Sequence, residues 1–507
     1  MLKPRTIITT DMECDDMNSL IHLCLFLNEM DIDGFIYTSS KFHFNGDGKH
    51  TLGEVTPHYR CSGNMAIYGH QGYPHPDPEA KDLTSYRPFE TGWIESLWNN
   101  EYRQAYPYLS SNAKGYPTPE ELLEKTCYGN IEFEGDVRFD TDGSNLIKKA
   151  ILDDDERPLY LQSWGGANTI VRALMSIAND YKDTEQWKEI QTKVTEKVRI
   201  LGIINGIGQD NSWLDYGKPL FPDLVLLKTE NTYGSYFASL TSQTDCKETF
   251  QAEWLKQHIK FNHGPLMSKY GLMGDGTYYP GEPDRNQYGL YPTIDWGFDG
   301  MEPVTFPSYD FLGEGDSNTY IPLLTFGLRT LEDPSFGSLL GRITTDGNDV
   351  PLTYDWFTGK QGHPNRFLKM YQEEWAARAD WCCKPYKDCA HPPVVKTDVT
   401  DIKAAAGETV PLHVEVECED AYTVYWEVQQ ELSTYTGTCA LRCFEPSQQA
   451  TYFTIPQNAQ LHDFFIVLCT VKSNSHTPMT RYAQIRIQVV STDVDMTENN
   501  PLKGIGY

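Results

Sequence analysis

Residues 9–20 read TTDMECDDMNSL and put Asp11, Glu13, Asp15 and Asp16 within six positions. Carboxylates this close repel one another unless something positive sits among them. An EF-hand loop starting at Asp11 needs glycine at its sixth position and glutamate at its twelfth. Here those places hold Asp16 and His22, so that reading fails. A phosphoryl-transfer site would use Asp11 as nucleophile beside magnesium. The lack of a glycine-rich phosphate loop and the acidity of the chain count against it. Acids at a helix N-terminus are favoured by the macrodipole, but one or two suffice for that. Hard-cation binding remains. Calcium takes six to eight oxygens in flexible geometry, and a strand-end cluster supplies several at once.

One segment rarely completes such a shell, so other strand ends must contribute. In SWGGANTI (163–170), Gly165 and Gly166 let backbone approach a ligand closely, and Asn168 stands at a helix entry. FLGEGDSNTYIPLL (311–324) has the same design, with Glu314 and Asp316 around Gly315 and a helix start at Ser317. Each alone is ordinary capping. At equivalent sheet positions, the three segments together specify a site.

The elements that must hold these segments alternate. RTIITTD reads as a buried strand, DDMNSLIHLCLFLNEMD as a helix and IDGFIYTSS as the next strand. RPLYLQSWGG, NTIVRALMSIAND, KVRILGII and FPDLVLLK continue the pattern. This predicts an α/β fold with a mostly parallel central sheet covered by helices. Ligands of such sheets sit outside the carboxyl ends of the strands, where the acidic cluster falls. Residues 43–118 break the rhythm with His, Tyr, Trp, Pro and Gly, either as a binding or lid segment or as a second layer over the core. Residues 363–383 read as a last amphipathic helix, with Phe367, Leu368, Tyr371, Trp375 and Trp381 available to pack. Short alternating strands follow and predict an all-β immunoglobulin-like sandwich. The expected organisation is an α/β domain over 1–390, a sandwich over 391–492 and a tail over 493–507. Cys418 and Cys469 fall on strands that could face each other, as a bridge or as two packed thiols.

Composition narrows the partners. The 507 residues carry 42 Lys and Arg against 71 Asp and Glu, a net charge of −29, with no basic run. Nucleic acid and anionic membranes need a basic patch and are not expected partners. No apolar stretch approaches the length of a membrane span. The start MLKPRTIITT is too short in apolar residues for a signal-peptide core. A cytoplasmic location is expected, or a secreted one if a leader has been removed. Twelve cysteines show no metal-ligand spacing, so zinc is not expected.

These segments resemble the nucleoside hydrolase superfamily, in the branch of nucleoside hydrolase-like cellulose-binding proteins. KPRTIITTDMECDDMNSL, RPLYLQSWGGANTIVRAL, NHGPL and GEGDS resemble its catalytic-type domain. VYWEV through TRYAQIRIQVV resembles its C-terminal sandwich. Nucleoside hydrolases open with Asp-x-x-x-Asp-Asp, here Asp11, Asp15 and Asp16. The resemblance implies a Ca2+ site of Asp11, Asp15, Asp16, the Asn168 backbone carbonyl and Asp316. Asp11 would also be the base that takes a proton from a metal-bound water, while Asp15 and Asp316 would touch sugar hydroxyls. Gln209, Asp210 and Asn211 lie where the family places sugar-binding groups.

The activity so implied is a calcium-dependent glycosidase or N-glycosidase that hydrolyses a furanosyl-like sugar by direct attack of water. The competing expectation is a non-catalytic carbohydrate-binding protein that keeps the metal and sugar cradle. Nucleoside hydrolases often place a histidine before the distal aspartate, where this chain has Gly315, and a small residue where it has Glu13. Both departures turn the expectation from a nucleobase towards an O-linked sugar or aglycone. Glu13, Glu314, His263 or a histidine of the 43–75 segment would serve as acid or sugar contact, with a structural role favoured for His263. The expected partner is a carbohydrate or glycoside. The sandwich would bind sugar itself, or cap or dimerise the enzyme as a homo-oligomer.

Overall fold

The computed structural model describes residues 3–56, 82–202, 209–229, 233–242, 245–295, 302–345, 354–355, 360–361, 366–439, 441 and 449–491. Strand β1 (Arg5–Thr10) is buried along its whole length, as a strand covered on both faces must be. Helix α1 (Cys14–Leu23) follows it directly, and β2 (Asp31–Tyr37) returns beside it. Then come β3 (Thr126–Tyr128), α2 (Asp142–Leu152), β4 (Leu159–Trp164) and α3 (Asn168–Tyr181). They are followed by α4 (Trp187–Lys197), β5 (Val198–Leu201), β6 (Val225–Thr229), the short helix α5 (Ser317–Tyr320) and β7 (Ile343–Thr345).

The sheet order is β3-β2-β1-β4-β5-β6-β7. Every pairing is parallel except β6 with β7, so the fold is the predicted α/β sheet. From β1 the chain winds outward through β2 and β3, then crosses to β4 on the other side. The topological switch therefore lies between β1 and β4, where a crevice opens beyond the strand ends. Thr10 is in register with both Tyr37 and Trp164, so the strands finish level. The chain leaves β1 at Asp11 and leaves β4 at Gly165, one on each side of that switch.

One sheet face carries Ile7, Ile36, Leu159 and Leu161 against Ile147, Ile170, Leu174 and Val194 of α2, α3 and α4. The other packs on α1 and on the insertions. Trp93, Ile94, Leu97, Trp98 and Tyr102, in a helical stretch over 93–112, belong to that core, so this part of the aromatic insertion is a second layer. Residues 57–81 of the same insertion lie outside the described residues.

Helix α6 (Leu368–Asp380) differs from the amphipathic expectation: nearly all of it is buried, including Gln372, Glu374, Arg378 and Asp380. The reason is its place between two layers. Arg378 donates to Glu374 and Glu29, to Asn28 and to the Leu25 carbonyl. From the other side Arg481 donates to Glu374, and Lys472 to Glu373.

Arg481 and Lys472 belong to the C-terminal strands β8 (Val394–Lys396), β9 (Asp401–Ala404), β10 (Thr409–His413), β11 (Glu415–Glu417), β12 (Tyr422–Val428), β13 (Ala450–Thr454), β14 (Phe464–Ser473) and β15 (Thr480–Val489). A sheet of order β9-β15-β14-β12 shares one hydrophobic core with the β10–β13 pair. The arrangement is that of a β-sandwich. Cys418 carries a free thiol, so no bridge joins it to Cys469. The expected tail lies outside the described residues, and among the described ones no helix is long and apolar enough to cross a membrane.

Candidate active site

The turn from β1 into α1 builds one wall of the crevice. Thr10 Oγ1 donates to Asp16 Oδ1 at 2.5 Å and accepts from the Met12 amide at 3.1 Å. This tight loop forces Met12 into the left-handed region, with φ of 61°. Such a conformation costs a non-glycine residue about 1–3 kcal/mol and persists where its surroundings hold it. The distortion separates Asp11, which stays at the strand end, from Glu13, which becomes the N-cap of α1.

Asp11 is fully buried, and neither of its carboxylate oxygens has a hydrogen-bond partner. Asp15 Oδ1 is likewise buried and unpartnered, while Asp15 Oδ2 accepts from the Gly315 amide at 3.2 Å. Asp15, Asp16 and Asp316 each bring a carboxylate oxygen within 4.8 Å of the others. Two like charges near that distance repel by roughly 4 kcal/mol at an effective dielectric of about 20. Such a group must take up protons or a cation. Burial raises the Asp11 carboxyl, opposed by His43 and Arg87. Asp15 is pushed up to about 6, by burial first, with Tyr236 opposing. Asp16 and Asp316 rise well above the usual range through burial and through their acidic neighbours.

The strand β4 exit forms the second wall. A Cβ on Gly165 would lie 2.9 Å from Asp11 Cβ and Cγ, and one on Gly166 would lie 2.4 Å from Asp210 Oδ2. Only a Gly-Gly pair fits between these two acids. Asp210 is fully buried with both oxygens engaged: it accepts from the Ser212 amide and hydroxyl and from the Asn168 amide, tying the start of α3. Its carboxyl is pushed up to about 6 by burial, against those hydrogen bonds. Gln209 Oε1 is buried and unpartnered, and Asn211 is buried next to Asp210.

Two expected residues, Asn168 and Glu314, are placed differently, and His263, for which a structural role is favoured, also lies apart from the crevice carboxylates. Asn168 opens α3, so its carbonyl runs along the helix, away from the carboxylates. Its side chain instead binds Thr38, Ser39 and the carbonyls of Asn130 and Asp136. Glu314 is fully buried and faces the core, accepting from Tyr270, His22 and Ser317. It braces the loop that carries Asp316 and does not line the crevice. His263 lies 2.9 Å from Asp380 and 3.0 Å from the Gln257 carbonyl, which ties α6 to its neighbour and is a structural role.

Sequence reasoning did not single out Arg87, Glu282 or Tyr236. Arg87 Nη2 donates to Glu13 Oε1 at 3.0 Å and to Glu282 Oε2. His43 Nε2 stands 3.5 Å from Glu282 Oε1. Burial raises Glu282, but Arg87 and His43 more than offset this and hold it at about 2. The Tyr236 hydroxyl lies 3.6 Å from the Cys14 thiol beside Asp15. Each comes from a distant insertion, and no local motif marks it.

Residues 5–343 match the family described as cellulose-binding Sde182, nucleoside hydrolase-like domain. The chain belongs to this family. A solved nucleoside hydrolase-related hypothetical protein from Saccharophagus degradans, associated with carbohydrate metabolism, shares the nucleoside hydrolase-like fold. It is 22% identical, with TM-score 0.64 over 96% of this chain and 100% of its own. The titin domain M7 aligns with 20% of this chain and 95% of its own at 17% identity, with TM-score 0.15. No curated protein matches this family member.

Proposed function

We propose that this nucleoside hydrolase-like protein is a calcium-dependent glycosidase or N-glycosidase that cleaves a furanosyl-like sugar linkage by direct attack of water. The observation that carries the reading is Asp11: a fully buried carboxylate with both oxygens unpartnered, interacting with the clustered carboxylates of Asp15, Asp16 and Asp316. Burying charge without a partner is costly, and a fold keeps it where a ligand completes it. The donor set fits calcium, being all oxygen and rich in carboxylates. Asp11, Asp15, Asp16 and Asp316 would hold the ion. Bound there, it would supply charge compensation, polarisation of a water and a seat for vicinal hydroxyls.

The chain's own groups would do the rest. An open oxygen of Asp11 accepts the proton of the attacking water. Asp15 and Asp316 accept hydrogen bonds from sugar hydroxyls and stabilise positive charge growing at the anomeric carbon. Gln209 Oε1 and Asn211 are available to further hydroxyls. Glu13, on the rim, addresses the departing side, where the glycosidic bond breaks as water adds and the leaving group takes its proton from solvent. The helical and sheet frame fixes these groups before substrate arrives, so little reorganisation is needed.

The family description also names cellulose binding, which supports a second reading: a non-catalytic carbohydrate-binding protein that keeps the cradle. One experiment separates the two. A panel of ribosides and other furanosides is assayed with calcium, for the wild type and for Asp11→Asn. Turnover by the wild type, reduced at least 100-fold by Asp11→Asn, is the expected result. Sugar binding without turnover would favour the second reading, and undiminished turnover by the variant would remove Asp11 as the base.

A further inference from the structure

Three separate segments converge on Glu13. Residues 43–46 and 84–89 lie side by side, with Phe44 and Tyr86 exchanging both backbone hydrogen bonds at 2.9 Å. Gly281 packs on the backbone of Pro88 and Phe89, so close that a Cβ there would lie 2.9 Å from the Pro88 carbonyl oxygen. These segments carry His43, Arg87 and Glu282.

Their side chains form a chain of contacts with a direction. Glu282 is spent: Oε1 accepts from the Cys14 amide at 3.1 Å and faces His43, while Oε2 accepts from Arg87. His43 Nδ1 donates to the Arg87 carbonyl at 2.7 Å, fixing a backbone that holds φ of 44° just before Pro88. Arg87 then takes Glu13 Oε1. Glu13 Oε2 makes no hydrogen bond among the described residues, and its side chain, at 17% exposed, is the most open of the four. Arg87 Nε and His43 Nε2 are buried without hydrogen-bond partners beside it.

We propose that Arg87, Glu282 and His43 are positioning residues that aim the free oxygen of Glu13 at the leaving group, forming a subsite for a neutral sugar. The inference rests on the glycosidase reading of the site. Burial and the neighbouring acids raise the Glu13 carboxyl, while its pairing with Arg87 opposes them, as a cation in the neighbouring cradle would too. So held as a carboxylate, its free oxygen accepts hydrogen bonds. The hydroxyls that flank the leaving oxygen of a sugar are donors. The ring nitrogens that flank the glycosidic nitrogen of a purine nucleoside are acceptors, and they meet repulsion there. Glu13 interacts directly with the charges of Asp11 and Asp15, so it lies beside the proposed reacting centre, within reach of those flanking groups.

The test uses the intact protein with calcium and two probes, glucose and 9-methyladenine, followed by saturation-transfer NMR. Wild type is expected to bind glucose and not 9-methyladenine. Arg87→Met should weaken glucose at least ten-fold. Because that variant leaves two carboxylates uncompensated, Glu13→Gln is measured beside it, with near-UV circular dichroism as the check on folding, and should also weaken glucose at least ten-fold. The same variants should lower kcat/KM for a furanosyl-glucose disaccharide at least ten-fold more than for a 4-nitrophenyl furanoside, mainly through KM. Binding of 9-methyladenine in place of glucose, no glucose binding, or glucose binding untouched in folded Glu13→Gln would overturn the subsite. Absence of all furanoside turnover would end the glycosidase reading separately, with the NMR result still deciding the subsite.

Discussion

The amide of Gly315 donates to Asp15 Oδ2 at 3.2 Å, and a Cβ on Gly315 would lie 2.5 Å from that same oxygen. The residue before the distal aspartate therefore cannot carry a side chain while Asp15 keeps its place. Where nucleosidases often have a histidine, this fold has spent the position on fixing a carboxylate.

Gly315→Ala should thus displace Asp15 or the Asp316 loop. We expect calcium affinity at least ten-fold weaker by isothermal titration calorimetry, with only a small stability loss, because the clash is with the far end of the Asp15 side chain, which can turn away. Wild-type affinity in the variant would show that the loop yields without moving the carboxylate.

Calcium should stabilise the protein more at pH 7.5 than at pH 5. The Asp15 carboxyl titrates at about 6 in the folded state, above the ordinary value of 3.8. Between those values the folded state holds a proton that the unfolded state has lost, so stability without cation falls as pH rises through the window. Above about 6 the carboxylate is free to take a cation without displacing a proton. At 100 times the dissociation constant a bound ion adds about 2.7 kcal/mol. Melting temperatures with and without calcium at the two pH values measure the difference, and an equal shift at both would contradict it.

Arg378 is 1% exposed and joins α6 to Glu29 and the Leu25 carbonyl, and it pairs within the helix with Glu374, which Arg481 of the sandwich shares. Removing a buried charge from such a network leaves its partners uncompensated, at a cost of about 3–5 kcal/mol. Arg378→Met should therefore lower the urea midpoint strongly. It should also loosen the contact between the two parts of the chain, seen as faster hydrogen exchange in α6 and β15 together. A midpoint within experimental error of wild type would refute this assignment.

Much of the molecule was legible before folding because it is written locally. Strand β1, the helix after it and the acids between them follow from a buried β-branched run and a helix start within about twenty residues. The alternation of strands and helices then dictates a parallel sheet, and a parallel sheet dictates where its ligand lies. The grouping of Asp15 and Asp16 is equally local. Even the sandwich shows in the period-two patterning of its strands.

Burial and long-range partnership are not written locally. Glu314 and Asp316 stand two residues apart with similar chemistry. One turns into the core against His22 and Tyr270, while the other turns to the crevice, because backbone direction at a loop is set by what packs behind it. Asn168 reads as a ligand from its position, yet helix geometry commits its carbonyl to the helix. Arg87 and Glu282 are 195 positions apart, and only the packing of two insertions over Glu13 makes them partners. The acidic turn was evident from residue types and spacing alone. The cation that restrains Glu13 became evident only once the chain had closed on itself, since charge pairing depends on distance in space and not on distance along the chain.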